Sequence, residues 1–155
     1  MTSPSPFVDP RGQRFGAAIT SVVLAVVLLT SAWWLLAVQA VVFALGAYDL
    51  RRQPYGLLFR SLVRPRLGAP AELEAAAPPQ FAQLVGLVFA VVGLVGYLAG
   101  VPVLGAVATG LALVAALLNA VFAFCLGCEM HLLLVRAFGR PVAPRFVSRT
   151  EASHP

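Results

Sequence analysis

Cys125 and Cys128 are the chain's only cysteines, and they stand together in Phe124-Cys125-Leu126-Gly127-Cys128-Glu129 at the end of its last long apolar run. The C-x-x-C spacing lets two sulfurs meet without rearranging the backbone, so the pair can close a disulfide, carry a persulfide or hold a soft metal. At a helix start the unpaired N–H groups and the helix dipole favour the thiolate, and nearby arginines act in the same direction. Glu129 opposes this, and is placed to accept a proton from whichever thiol reacts. Cys125, nearer an expected bend, is read as the attacking thiol and Cys128 as the resolving one, an assignment that can be reversed. The plain alternative is a pair of small apolar residues on a buried face. A metal reading adds His131, because residues 125, 128 and 131 form one stripe if the helix runs on unbroken, and two thiolates with an imidazole suit zinc or copper. No second C-x-x-C or distant histidine completes a closed site, and His154 lies in a tail expected to be disordered, so no metal or cofactor is assigned.

Composition decides what must position these sulfurs. With 60% hydrophobic and 11% charged residues and a mean hydropathy of +0.89, the chain is too apolar for a soluble domain, where about a quarter of residues are charged. A lipid bilayer is the expected environment, and the expected fold class is all-α, a polytopic membrane protein. There are eleven basic residues, all arginine, against six acids. In this setting the excess reads as topology rather than nucleic-acid binding.

Four apolar segments predict four transmembrane helices, from about Phe15 to Thr30, Trp33 to Tyr48, Phe81 to Ala99 and Val103 to Phe124. The first two are close to the lower limit of roughly 17 residues for a span. Arg11 and Arg14 precede the first, Arg51, Arg52, Arg60, Arg64 and Arg66 follow the second, and Arg136, Arg140, Arg145 and Arg149 follow the fourth. The turns Thr30-Ser31-Ala32 and Gly100-Val101-Pro102 are uncharged. The positive-inside rule therefore predicts cytoplasmic N- and C-termini, with Trp33, Trp34 and Tyr97 in an outer aromatic belt. A cleaved leader is the competing reading of the first segment, disfavoured because the second apolar run begins at once.

An internal repeat organises the chain. Phe15-Gly16-Ala17-Ala18 onward resembles Phe81-Ala82-Gln83-Leu84 onward, and Leu57-Leu58-Phe59-Arg60 before Arg64-Pro65 matches Leu133-Leu134-Val135-Arg136 before Arg140-Pro141. The single membrane domain, 1–155, thus divides into repeat 1 (about 14–65), a linker (about 66–79), repeat 2 (about 80–141) and a disordered tail (about 142–155). Each repeat is a hairpin of two spans followed by a short basic interfacial helix, the halves related as parallel repeats. Aligning Arg60 with Arg136 sets Asp49 against Cys125, Arg52 against Cys128 and Pro54 against Met130. The first interfacial helix is then expected from about Tyr55 to Arg64 and the second from near Met130. Cys125 to Glu129 would form a bend that Gly127 permits. A straight helix from Val103 to Phe138 would be about 54 Å long, too long for a hydrocarbon layer of roughly 30 Å.

Within the spans, Gln39 and Asn119 are expected to bond between helices. No carboxylate, lysine or arginine falls in the hydrocarbon region, so the usual parts of a proton or ion pathway are missing. Gly93, Gly96, Gly100 and the stripe Ala108, Ala112, Ala116, Ala120 offer small faces for close packing.

The hairpin Phe81 to Gly100, the joint Arg64-Pro65 and above all Phe124-Cys125-Leu126-Gly127-Cys128 resemble the bacterial membrane proteins grouped as domain of unknown function 4395, over about Val8 to Phe138. The resemblance implies a bacterial inner-membrane setting and sulfur or thiol traffic beside thioredoxin-like and rhodanese-like sulfurtransferase proteins. It carries onto Cys125, Gly127 and Cys128, and not onto Glu129 or His131. The functional expectation is a cytosolic-face dithiol, Cys125 and Cys128 as the catalytic pair, relaying disulfide or sulfane sulfur with a thioredoxin-like or rhodanese-like partner. The alternatives are a small-solute permease, built as a homo-oligomer and carrying a sulfur compound, and a structural or assembly subunit with inert cysteines.

Overall fold

The computed structural model describes residues 7–141, 144–148 and 150, and is mostly helical. Two long helices come first, α1 (Pro10–Thr30) and α2 (Trp33–Tyr48). Asp9 caps α1 by accepting from the Arg11 N–H at 3.0 Å, and Pro10 occupies the first turn, where a missing N–H costs nothing. The helix therefore starts five residues earlier than the apolar run suggested. Ser31, at φ 54°, makes the tight turn into α2. The second pair is α5 (Ala77–Leu98) and α6 (Pro102–Phe122), turned at Gly100 with φ 75°.

Three of these helices, α1, α5 and α6, are long and apolar enough to cross a membrane. At 16 residues α2 is shorter, about 24 Å against a hydrocarbon thickness of roughly 30 Å. The bundle's outer faces are apolar too: Val22, Val38, Val88 and Val107 are each more than half exposed. A helix apolar on both its buried and outer faces suits contact with lipid.

Packing follows a crossed pattern. α1 lies chiefly on α6 and α2 chiefly on α5, while α5 and α6 also pack tightly on each other and α1 touches α2 only lightly. The two hairpins are thus unequal, the first splayed and the second closed. Glycine explains the closed one: a Cβ at Gly96 would stand 2.5 Å from the Gly105 nitrogen, so only glycine lets the two backbones approach this closely. The core runs through Leu24, Val27, Leu36, Phe43 and Ala90. Gln39, fully buried, links α1, α2 and the first basic segment, donating to Thr20 Oγ1 at 3.5 Å and accepting from Tyr55 Oη at 2.7 Å.

The first basic segment is helical from α3 (Pro54–Leu58) through a wide π turn (Phe59–Val63) to α4 (Arg64–Leu67). Pro65 has no N–H to give Ser61 and would crowd its carbonyl, and the wider turn, in which Arg64 N–H bonds Phe59 O, absorbs the defect. The second basic segment is α7 (Leu126–Ala137). It starts four residues before the Met130 that the repeat alignment suggested. Leu57, Leu62 and Leu133 are half or more exposed.

Two expectations about the polar segments are corrected. The linker of about 66–79 and the tail beyond 142 contain the strands β2 (Glu72–Ala75) and β3 (Phe146–Ser148). With β1 (Phe7–Val8) they form a small antiparallel sheet in the order β1-β2-β3, pairing Val8 with Glu74 and Leu73 with Val147. Strands this short have no stability alone and form because their partners come from distant parts of the chain. Pro78 and Pro79 belong to the first turn of α5. Arg149 and His154 lie outside the described residues. The sheet sits at the end of the bundle opposite Ser31 and Gly100, where Arg11 reaches the Gly68 carbonyl and Arg14 the Ala120 carbonyl.

Candidate functional site

Cys125 and Cys128 are joined by a disulfide, with Cα atoms 5.2 Å apart. The bend that places them is made by Ala123, in the left-handed region at φ 55°, which ends α6. Cys125 is the N-cap of α7, and its Sγ accepts from the Cys128 N–H at 3.3 Å. Cysteine thus stands where serine or aspartate usually does, occupying one of the helix's open N–H groups. Cys128 is completely buried, whereas Cys125 keeps 8% of its surface.

Gly127 does not make the bend. It lies in the first turn of α7, against α5, and a Cβ there would stand 2.5 Å from the Ala82 Cα. The glycine of the motif is a close-approach residue that holds the disulfide turn onto α5.

Two hollows meet at the disulfide. One, about 330 Å³, lies among the helices and is mainly apolar, running from Cys125 and Leu126 to Phe89 and Leu111. The other, about 220 Å³, lies on the sheet side and is lined by Arg11, Arg14, Arg145 and Glu74 as well as both sulfurs. Cys125 borders both hollows and Cys128 only the second; Gln13, Gln83 and Asn119 also border both. Asn119 was expected to bond between helices, but its side chain makes no hydrogen bond among the described residues, and it faces this shared wall.

The remaining polar groups are organised by one residue. Arg145, just before β3, donates from Nε to Glu74 Oε1 at 2.8 Å and from Nη1 to Glu129 Oε1 at 2.7 Å. Burial pushes the Glu74 carboxyl above its ordinary range, and Arg145 partly offsets this. Glu129, proposed from sequence as a proton acceptor, is therefore held in an ion pair. His131 packs its ring 5.5 Å from that of Phe81. No group of three or more His, Cys, Asp or Glu side chains among the described residues is placed to hold a metal ion, so the Cys-Cys-His stripe is not assembled.

Residues 8–136 match the family model described as Domain of unknown function (DUF4395). The chain belongs to this family. The DUF4395 match takes in α1 to α6, both cysteines, Gly127 and Glu129, and ends before Arg145 and β3. No curated protein and no solved structure matches the chain.

Gly127→Ala is expected to lower stability by about 1–3 kcal/mol, the range for overpacking a tight contact. Because the closest atom is backbone, Ala82→Gly should not restore it. A thermal melt of the single and double variants in detergent checks this, and full rescue by Ala82→Gly would show that only the Ala82 methyl is in the way.

Proposed function

We propose that this DUF4395 member is a four-span membrane protein of the bacterial inner membrane, its arginine-bearing end cytoplasmic, whose Cys125–Cys128 pair exchanges disulfide or sulfane sulfur with a soluble thioredoxin-like or rhodanese-like partner. The observation that carries this reading is the position of the disulfide: Cys125 caps a helix start, both cysteines border an arginine-lined hollow, and Cys125, 8% exposed against 0% for Cys128, borders the apolar hollow as well. Inert packing cysteines need none of these features. The crossed packing of α1 on α6 and α5 on α2 is what two parallel repeats exchanged about one axis would give, and it supports counting α2 as the fourth span.

The chemistry balances with a partner dithiol. Its thiolate attacks Cys125 Sγ, the bond to Cys128 breaks, and Cys128 leaves as a thiolate that takes a proton from water. The partner's second thiol then attacks its own sulfur in the mixed disulfide and releases Cys125. Two electrons pass from the partner to the membrane pair. If the partner carries a persulfide instead, the reduced Cys125 thiolate takes the outer sulfur and leaves the partner as a thiolate.

Exchange runs in reverse as well: the reduced Cys125 thiolate attacks an oxidised partner's disulfide, one partner sulfur leaves as a thiolate, and Cys128 then attacks Cys125 Sγ and releases the partner, a last step that a Cys128→Ser variant lacks. Purified from cells under acid trapping, that variant is expected to carry a protein partner on Cys125, released by reductant and identified by mass spectrometry. An equal yield from Cys125→Ser would sink the assignment of roles. Orientation is tested separately: an impermeant maleimide on intact cells should leave the reduced native pair unlabelled but label a cysteine placed at Ser31 or Val101. External labelling of the native pair would invert the topology.

A further inference from the structure

We infer that the apolar hollow behind the disulfide is a binding site for a lipid-soluble quinone, which reoxidises the reduced Cys125–Cys128 pair. This rests on reading that pair as a redox relay. Such a relay, once reduced from the polar side, needs a two-electron acceptor, and the placement of the two hollows says from which side it comes.

The apolar hollow follows α5 from Ala82 to Phe89 and α6 from Leu111 to Asn119, a run of about 10 Å along the helix axes. One end is Cys125 and the other is the middle of the bundle. Leu111 and Val114, which line it, are 53% and 55% exposed, so the hollow is not sealed within the bundle and adjoins apolar surface suited to lipid. A water-soluble oxidant gains nothing from such a route, whereas a ring with an apolar tail is matched to it. Apart from Thr20, whose hydroxyl accepts from Gln39, the polar side chains on the hollow are Gln13, Gln83 and Asn119 at the sulfur end. The side chains of Gln13 and Asn119 make no hydrogen bond among the described residues, leaving amide N–H donors for a quinone carbonyl.

The same placement distributes the steps. Cys125, the sulfur that borders the apolar hollow, adds as a thiolate to a ring carbon of the quinone. Cys128 then attacks Cys125 Sγ, the S–S bond forms, and the bond from sulfur to ring breaks with its electron pair passing to the ring. The two thiol protons end on the two ring oxygens. Dithiol and quinone thus become disulfide and quinol, with two electrons and two protons transferred.

The experiment uses the full chain in lipid nanodiscs, reduced and freed of reductant, with decylubiquinone as the probe. Quinol formation, followed by absorbance, should match disulfide formation one to one. Ala115 lines the apolar hollow and not the polar one, so Ala115→Phe should slow reoxidation by decylubiquinone at least tenfold while reduction of the disulfide by a soluble dithiol keeps its rate. Ala116→Phe serves the same purpose if the first variant does not fold. Equal reoxidation rates in the parent and a folded variant, or no quinol formed although soluble dithiols reduce the pair, would overturn the quinone site and leave the relay standing. A disulfide that no soluble dithiol reduces in the folded protein would instead overturn the relay, and the quinone site with it.

Discussion

In the reduced Cys128→Ser variant, Cys125 is expected to be alkylated by iodoacetamide at neutral pH faster than a free model thiol. In Cys125→Ser, Cys128 is expected to react at least tenfold more slowly than that model thiol. The two sulfurs are chemically identical and differ only in place. Cys125 sits at the N-cap, where its sulfur accepts the Cys128 N–H at 3.3 Å, and the positive end of the helix favours the thiolate, the reactive form. Cys128 has no exposed surface, and burial favours the neutral thiol and blocks the reagent. Either replacement should abolish dithiol–disulfide cycling altogether, since a lone sulfur cannot close the intramolecular disulfide, and serine is close enough in size to leave insertion and expression nearly unchanged. Alkylation rate against pH for the two variants checks the pattern. Equal, slow rates would favour inert cysteines, and a faster Cys128 would exchange the roles of attacking and resolving thiol.

How much of this was legible beforehand depends on the range of the interaction. The helices could be read because each is specified by its own apolar run and its own punctuation: Gly100-Val101-Pro102 turns the second hairpin where it was expected. Their starts were read late because Pro10, Pro78 and Pro79 look like linker until they are seen in first turns. The C-x-x-C pair stood out by spacing alone. Its setting did not. Cysteine is not among the residues that announce an N-cap, so α7 was expected from Met130 rather than Leu126, and the bend was assigned to Gly127 rather than to Ala123. What glycine does at 127 depends on Ala82, forty-five residues earlier, and no local pattern encodes that. The same holds for the sheet. Its strands are two to four residues long, too short to show alternation, and Glu74, Glu129 and Arg145 read as solvated charges until the fold brings them together.

That cluster carries the second large effect. Arg145→Ala is expected to cost about 3–5 kcal/mol at neutral pH, the range for removing one partner of a buried ion pair, because the Glu74 side chain is only 5% exposed and, without a cation, must either stay charged and uncompensated or take up a proton. The half-exposed Glu129 contributes little to this cost, as solvent already screens it. The pH dependence separates this from simple loss of packing. Glu74 is shifted upward from 4.5, by burial first and against the pull of Arg145. A carboxyl raised in the folded state binds its proton more tightly there than in the unfolded chain, so stability is fullest below about 4.5 and falls as pH rises through the raised value. Without Arg145 the downward pull disappears, the raised value moves further up, and the fall becomes deeper. The deficit of Arg145→Ala should therefore be largest at neutral pH and shrink on acidification, and adding Glu74→Gln should recover much of it by removing the buried charge. Hydrogen exchange across Glu72–Ala75 and Phe146–Ser148, measured at pH 4 and pH 7, reads the effect where it arises. A deficit independent of pH and unrelieved by Glu74→Gln would mean that Arg145 holds the sheet over the disulfide by its contacts rather than by its charge.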